Sequence, residues 1–262
     1  MSVTEAFAAA TAAAGVRRFS RIQHHVTIGS TNDEAQQRLG DPAAAGLVIV
    51  ADEQTAGAGR RGRRWVAPPR SGLLFTAILP EAIAAVDAWA VTFWTGMRVA
   101  NALERWSVHA ALQWPNDLLV EGRKICGILC VSRILGARAA VACGVGVNVH
   151  RPDPAPGLEE ISPPPIFVDD CTVVGGNARA ELLASILREF ETGFSLLATP
   201  RRIAREWEQR AGLPGAHYRL SFGDGSALEG EAIGLSPSGG LRLRTGGTER
   251  AIDLAEEVRV VR

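Results

Sequence analysis

Between Gly57 and Trp65 the chain reads GAGRRGRRW, with three glycines, four arginines and a tryptophan in nine residues. Backbone without Cβ atoms can approach a ligand closely, and guanidinium groups offer forked donors to phosphate or carboxylate. A lid over an anion is one reading of the stretch. A solvated loop, or a nucleic-acid patch of the Arg/Gly kind, is the other. Neither common phosphate fingerprint fits: no Gly-Lys-Ser/Thr follows, and the spacing is not Gly-x-Gly-x-x-Gly opening a helix. Trp65 could lie across a purine ring or simply anchor a core.

Three more segments carry chemistry-bearing side chains. In Trp114-Pro115-Asn116-Asp117, proline followed by Asn and Asp favours a tight turn that can aim an amide and a carboxylate into a cleft. In GRKICGIL, Lys124 opens an otherwise apolar strand. Facing solvent it would be ordinary, but on the sheet face it is a cation for a phosphate or carboxylate oxygen, with Gly127 leaving clearance. In GVGVNV, Gly144 and Gly146 bare one face of a strand that ends in Asn148, which makes room for a flat ligand or a neighbouring segment.

Composition narrows the frame around these segments. The chain has 262 residues, 47% hydrophobic and 21% charged, with 28 basic and 28 acidic side chains. That length supports one large domain, or a large and a small one. A balanced charge makes any basic site local. No run approaches the length of a membrane span, and the alanine-rich N-terminus lacks the basic-then-apolar order of a signal peptide. Cys126, Cys130, Cys143 and Cys171 lack zinc-like spacing and read as free thiols of a reducing compartment. A cytoplasmic location is the expectation.

The positioning elements follow from pattern. Ser30 to Leu39 begins like a capped helix. Gly46 to Asp52 and Gly72 to Leu79 are strands entering and leaving the glycine loop, and apolar spacing predicts a long helix from Glu81 to Trp106. LQWPNDLLV, KICGILCVSRIL and ARAAVACGVGVNV read as successive strands, the first two joined at Glu121-Gly122. Six prolines between Pro152 and Pro165 predict an irregular surface loop. Helices are expected near Ala178–Leu197 and Pro200–Ala211. Beyond Gly212, five short strands separated by glycine turns predict a small SH3-like barrel. The expected architecture is α+β, a mixed and largely antiparallel sheet with packed helices over residues 1–211, then a β-barrel module over 212–262.

Taken in order, Ser30-Thr31-Asn32, Gln54 to Trp65, Trp114 to Leu118, Arg123 to Leu129 and Gly144 to Val149 resemble the biotin protein ligases. The family pattern is Ser-Thr-Asn, Gln-x-x-Gly-x-Gly-Arg-x-Gly-Arg-x-Trp, Lys-Trp-Pro-Asn-Asp-Leu, Arg-Lys-x-x-Gly-Ile-Leu and Gly-x-Gly-x-Asn-Val. Two departures stand out. Many members have arginine where this chain has Ala58, and the lysine before the tryptophan is Gln113 here. With some 29 residues before Ser30, the resemblance is to the enzyme-only type without a DNA-binding domain, so DNA binding is not expected.

The resemblance implies a two-step reaction with ATP and biotin as substrates and magnesium accompanying the triphosphate. Biotinyl-AMP forms first, and biotin then passes to a lysine of a biotin carboxyl carrier domain. It implies Lys124 and Arg60 as catalytic cations. Biotin would be held by Ser30, Thr31, Asn32, Gln54, Gly57, Gly59, Arg60, Lys124 and Gly127. The nucleotide would be held by Arg60, Arg63, Trp65, Asn116, Lys124 and Asn148, with Trp65 against the adenine. Metal ligands are not visible in the sequence, with Asp117 only a guess, and a homodimer is left open. The rivals are a lipoate or octanoyl ligase on a similar scaffold, a nucleic-acid-binding module, and a ligase-like sensor that no longer catalyses.

Overall fold

The structure is a computed structural model that describes residues 2–153, 161–253 and 255–261. In chain order the elements are α1 (Val3–Ala13), β1 (Arg21–Ile28), α2 (Thr31–Arg38), β2 (Leu47–Gln54), β3 (Gly72–Ile78), β4 (Ile83–Ala84), α3 (Ala90–Glu104), β5 (Ala111–Gln113), β6 (Asp117–Val120), β7 (Arg123–Leu135) and β8 (Arg138–Asn148). They continue with α4 (Val168–Cys171), α5 (Ala178–Gly193), α6 (Pro200–Arg210), β9 (His217–Ser221), β10 (Ala227–Leu235), β11 (Leu241–Thr245), β12 (Thr248–Ile252) and β13 (Glu257–Val261).

The larger sheet runs β1-β2-β3-β8-β7-β6-β5, with β4 added beside β8. Only β1 and β2 pair in parallel, so the sheet is mixed and largely antiparallel, as the sequence predicts. Alternation along the strands divides its two faces. Val48 and Val50 of β2, Leu73, Phe75 and Ala77 of β3, and Cys143, Val145 and Val147 of β8 join a core cluster with buried residues of α1, α3, α5 and α6. The opposite face holds a smaller cluster in which Ala35 and Leu39 meet Ile49, Ile78 and Ala142. Short α2 cannot cover all of that face. Thr76 and Gly144 lie under its first turn, and Gly146 and Gly127 lie beyond it.

The second sheet, β12-β11-β10-β9-β13, is antiparallel throughout. Its five strands match the expectation, whereas a barrel closed between β12 and β13 is not among the pairings of the described residues. Tyr218, Leu220, Leu241 and Leu243 belong to the same buried cluster as Trp94 and Phe190, so the two sheets share one core. Trp114, 1% exposed, donates its indole N–H to Gly239 O at 3.1 Å across that junction. Gln113 donates to Val258 O at 3.0 Å. Gln113 is therefore used here to hold β13.

Several boundaries differ from expectation. The helix predicted from Glu81 begins at Ala90, because Ile83 and Ala84 pair with Ala139 and Arg138 of β8 and a 3-10 turn follows at Ala85–Asp87. Val86 of that turn is 81% exposed. LQWPNDLLV is two strands: Gln113 pairs with Asp117 around a turn at Trp114–Asn116. The helix expected to reach Leu197 stops at Gly193, whose carbonyl accepts the Trp94 indole N–H at 2.9 Å, and a 3-10 turn continues from Phe194. The alanine-rich N-terminus is a helix opened by a capping box between Ser2 and Glu5, a Ser-x-x-Glu signal legible in the sequence. Of the proline-rich segment, residues 154–160 lie outside the described residues.

Candidate active site

Glu121 and Gly122, both with positive φ (52° and 76°), close the two-residue turn from β6 to β7, the geometry a tight hairpin demands. Just beyond it, Leu118 pairs with Cys126 but Leu119 pairs with Lys124, so β7 carries one extra residue. Ile125 and Cys126 are both buried in the helix-covered core. In an unbroken strand Lys124 would share the face of Cys126 and Ile128. The bulge turns it to the face of Gly127.

That face borders a cavity of about 250 Å³. Every residue that the resemblance assigns to biotin or to the nucleotide lines it except Gly57. At one group of walls, Thr31 donates both its backbone N–H (2.7 Å) and its hydroxyl (2.9 Å) to Gln54 Oε1. Asn32 donates Nδ2 to Leu129 O at 2.9 Å, and its Oδ1 accepts from the Thr76 hydroxyl at 2.8 Å. The Thr76 oxygen also lies 2.9 Å from Thr31 Oγ1. These contacts orient both amides, leaving Gln54 Nε2 and the second Asn32 N–H as donors. Gly144 is the seat for Asn32, since a Cβ there would stand 2.2 Å from Asn32 Oδ1.

The glycine–arginine loop forms a small hairpin along this cavity. Trp65 N donates to Gly57 O at 2.9 Å, Gly59 N donates to Arg63 O at 2.7 Å, and Ala58 bridges Arg64. Arg61 and Gly62 turn the tip with φ of 57° and 72°. Gly57 is the neck: a Cβ would meet Trp65 O at 2.5 Å. The hairpin lays the Trp65 indole across Gly127 and Gly146, which pair across β7 and β8. Added Cβ atoms would stand 2.7 Å and 2.6 Å from the ring. The bed cleared by the two glycines is thus occupied by the protein's own indole. Its buried Nε1 finds no acceptor among the described residues.

Lys124 Nζ lies 2.7 Å from Asp117 Oδ1 and 5.6 Å from the centre of the Trp65 ring. The carboxylate contact is one of charge without hydrogen-bond alignment, as Oδ1 has no aligned donor. Burial lowers the Arg60 guanidinium below its ordinary range, against the opposing charge of Asp117, and arginine remains a cation. Asp117 therefore faces two cations that a larger anion could share. Asn116 and Asn148 do something the sequence did not reveal. Each commits an amide N–H to β7, Asn116 to Ile128 O at 2.6 Å and Asn148 to Lys124 O at 3.0 Å, which fixes the strand bearing the lysine. Arg63 donates to the Glu256 carbonyl and so ties the hairpin to the second sheet.

Two components escaped the sequence reading. Thr76 is a lone hydroxyl in a wholly buried strand, and that lone polar residue was the available signal. The segment from Ile161 to Phe167 is a cavity wall as well as a surface loop: Lys124 N donates to Pro164 O at 2.8 Å, Ile166 N donates to Lys124 O at 3.0 Å, and Phe167 is buried against the cavity. Among the described residues no cluster of three or more His, Cys, Asp or Glu could hold a metal, and no helix is long and apolar enough to cross a membrane.

A deep polar cluster, a glycine-cleared sheet and a cationic hairpin thus meet in one cavity, and known proteins share both sequence and fold with this chain. The sequence model of the Biotin/lipoate A/B protein ligase family matches residues 25–148. A biotin–[acetyl-CoA-carboxylase] ligase of Paracoccus denitrificans is 32% identical over 234 residues, 87% of this chain and 95% of that protein. A ligase of the same name from Mycobacterium tuberculosis is 29% identical over 238 residues, 88% of this chain and 85% of that one. In fold, the chain resembles the biotin protein ligase from Aquifex aeolicus in complex with biotin and ATP: TM-score 0.71, 23% identity, 93% of this chain and all of the other. The chain belongs to the biotin/lipoate protein ligase family, on the branch of its biotin ligases.

Proposed function

We propose that the cavity joins biotin to AMP and passes the biotinyl group to a lysine of a biotin carboxyl carrier domain. The observation that carries this reading is the convergence, in one cavity, of the Thr31–Gln54–Asn32 cluster with Lys124 and Arg60. The donors left free in that cluster suit a small neutral ring with its own donors and acceptors. The cations suit the meeting of two anions that would otherwise repel.

In the first step a biotin carboxylate oxygen attacks the α-phosphorus of ATP. The P–O bond to the β-phosphate breaks, and pyrophosphate leaves. Lys124 and Arg60 neutralise charge on the carboxylate and on the phosphoryl oxygens. Magnesium would accompany the triphosphate and offset its charge, and Asp117, the carboxylate beside those cations, would be the side chain to hold it. Trp65, one face on the glycine bed, offers the other to the adenine. In the second step the neutral lysine amine attacks the acyl carbon, AMP leaves with the electron pair of the broken acyl–oxygen bond, and the nitrogen gives up one proton to water. The wider groove of about 830 Å³ between Arg60, Trp114–Asp117 and Val258–Val260 is the approach for that lysine. Residues 1–211 carry the chemistry and 212–262 brace the hairpin, in a cytoplasmic enzyme.

ATP–pyrophosphate exchange with biotin, followed by transfer to a purified acceptor domain, tests the reading. Exchange with lipoate and none with biotin would overturn it. Thr76→Val removes the donor to Asn32 Oδ1 at nearly constant volume. It is expected to weaken biotin binding by about 1.5 kcal/mol, on the order of tenfold, in calorimetric titration. Biotin plus ATP is expected to protect Arg61–Arg64 from trypsin, because the adenylate completes the cavity that the hairpin covers. Equal cleavage with and without substrates would count against the lid.

A further inference from the structure

We propose that the buried Asp52 carboxylate is a positioning residue for the glycine–arginine hairpin, clasping both feet of the loop to each other and to α5. Asp52 does not line the cavity, and it precedes Gln54 by two residues on β2. It is 2% exposed, with Arg179 of α5 2.5 Å from Oδ1 and Arg70 Nε 3.3 Å from Oδ2. The backbone closes the same clasp, since Arg70 N donates to Asp52 O at 2.9 Å. Arg70 holds a left-handed φ of 63°, a conformation that a residue with a Cβ keeps only when its surroundings require it. Next to it, Ser71 O accepts from Val149 N (3.0 Å) and His150 N (2.8 Å), tying the returning foot to the end of β8.

His24 of β1 brings Nε2 to 3.1 Å from Asp52 Oδ1, a close approach without hydrogen-bond alignment. Its other nitrogen is 3.2 Å from the Thr4 hydroxyl of α1. Burial alone would raise the Asp52 carboxyl, but the hydrogen bond and charge of Arg179, with a smaller contribution from nearby His24, outweigh it and leave it below the ordinary carboxylate value. A buried pair of this kind is a poor stabiliser compared with apolar residues of the same volume. What it supplies is a fixed geometry. With the feet held together, a loop rich in glycine loses fewer conformations when it carries Arg60, Arg63 and Trp65 to the cavity. The inference rests on the proposed function for its substrate readout and not for its structural one.

The test compares Asp52→Asn and Arg70→Ala with Glu189→Gln, which disturbs another buried carboxylate of α5, bonded to Asn101 and Arg105. Trypsin cleavage after Arg61–Arg64 in the substrate-free protein is expected to accelerate about tenfold in the first two variants. KM for biotin and ATP in pyrophosphate exchange is expected to rise about tenfold, with kcat nearly unchanged, because the ordered state is less populated but chemically intact. Glu189→Gln should lower the melting temperature without moving either readout. Unchanged cleavage and KM in both loop-foot variants would overturn the proposal, as would an equal effect from Glu189→Gln. Should Asp52→Asn fail to fold, Arg70→Ala decides alone, its side chain being 67% exposed. Cleavage needs no substrate, so the clasp is tested even if biotin exchange fails.

Discussion

Lys124→Ala is expected to slow biotin-dependent pyrophosphate exchange by at least about a hundredfold, equivalent to roughly 3 kcal/mol of barrier, while the protein stays folded. The backbone of Lys124 is held independently of its side chain, through the Pro164 carbonyl and the Asn148 amide, so the melting temperature should change little. Removing the ammonium leaves Asp117 without its 2.7 Å partner and adds repulsion toward an incoming carboxylate. Biotin affinity should therefore fall as well. Lys124→Met, which keeps most of the apolar stem against Trp65, separates charge from packing. Exchange near the wild-type rate in either variant would remove Lys124 from the chemistry.

Gly146→Ala carries the second large effect. Gly146 needs no positive φ, so an alanine costs nothing in backbone conformation, and its whole effect is steric. The new methyl would sit 2.6 Å from Trp65 Cε2 and 2.9 Å from Cζ2, closer than the indole can tolerate without leaving its bed. Overpacking of this kind costs about 1–3 kcal/mol, and exchange is expected to fall by roughly ten- to a hundredfold. Trp65→Ala should cause a similar loss. The two together should lose little more than Trp65→Ala alone, since the methyl then clashes with nothing. Additive losses in that double-mutant cycle would mean that Gly146 acts on the site by another route.

The motif residues were legible because each is the wrong type for its place in a strand or turn. Glycines at alternate positions of a buried strand, an amide at its end and a lysine at the head of an apolar run all ask for a partner, whether a ligand or another part of the chain. The strands flanking the loop and the antiparallel order of the sheet followed from alternation and turn residues. The direction of Lys124 was not legible, since it depends on a bulge decided by pairing with β6. Asn116 and Asn148 have the same composition whether they meet a ligand or a neighbouring carbonyl. The Asp52 clasp joins residues far apart in the chain, which no local pattern signals. The early start expected for α3 failed for a similar reason, because β8 claimed Ile83 and Ala84 as edge partners and periodicity counts only neighbours along the chain.

The bulge on β7 makes an odd-or-even count part of the proposed catalytic apparatus. Substitutions nearby can alter packing while the ammonium keeps its heading, but losing the one surplus residue would rotate it half a turn into the hydrocarbon interior. Over evolutionary time this stretch should accept exchanges of side chain far more readily than changes in length.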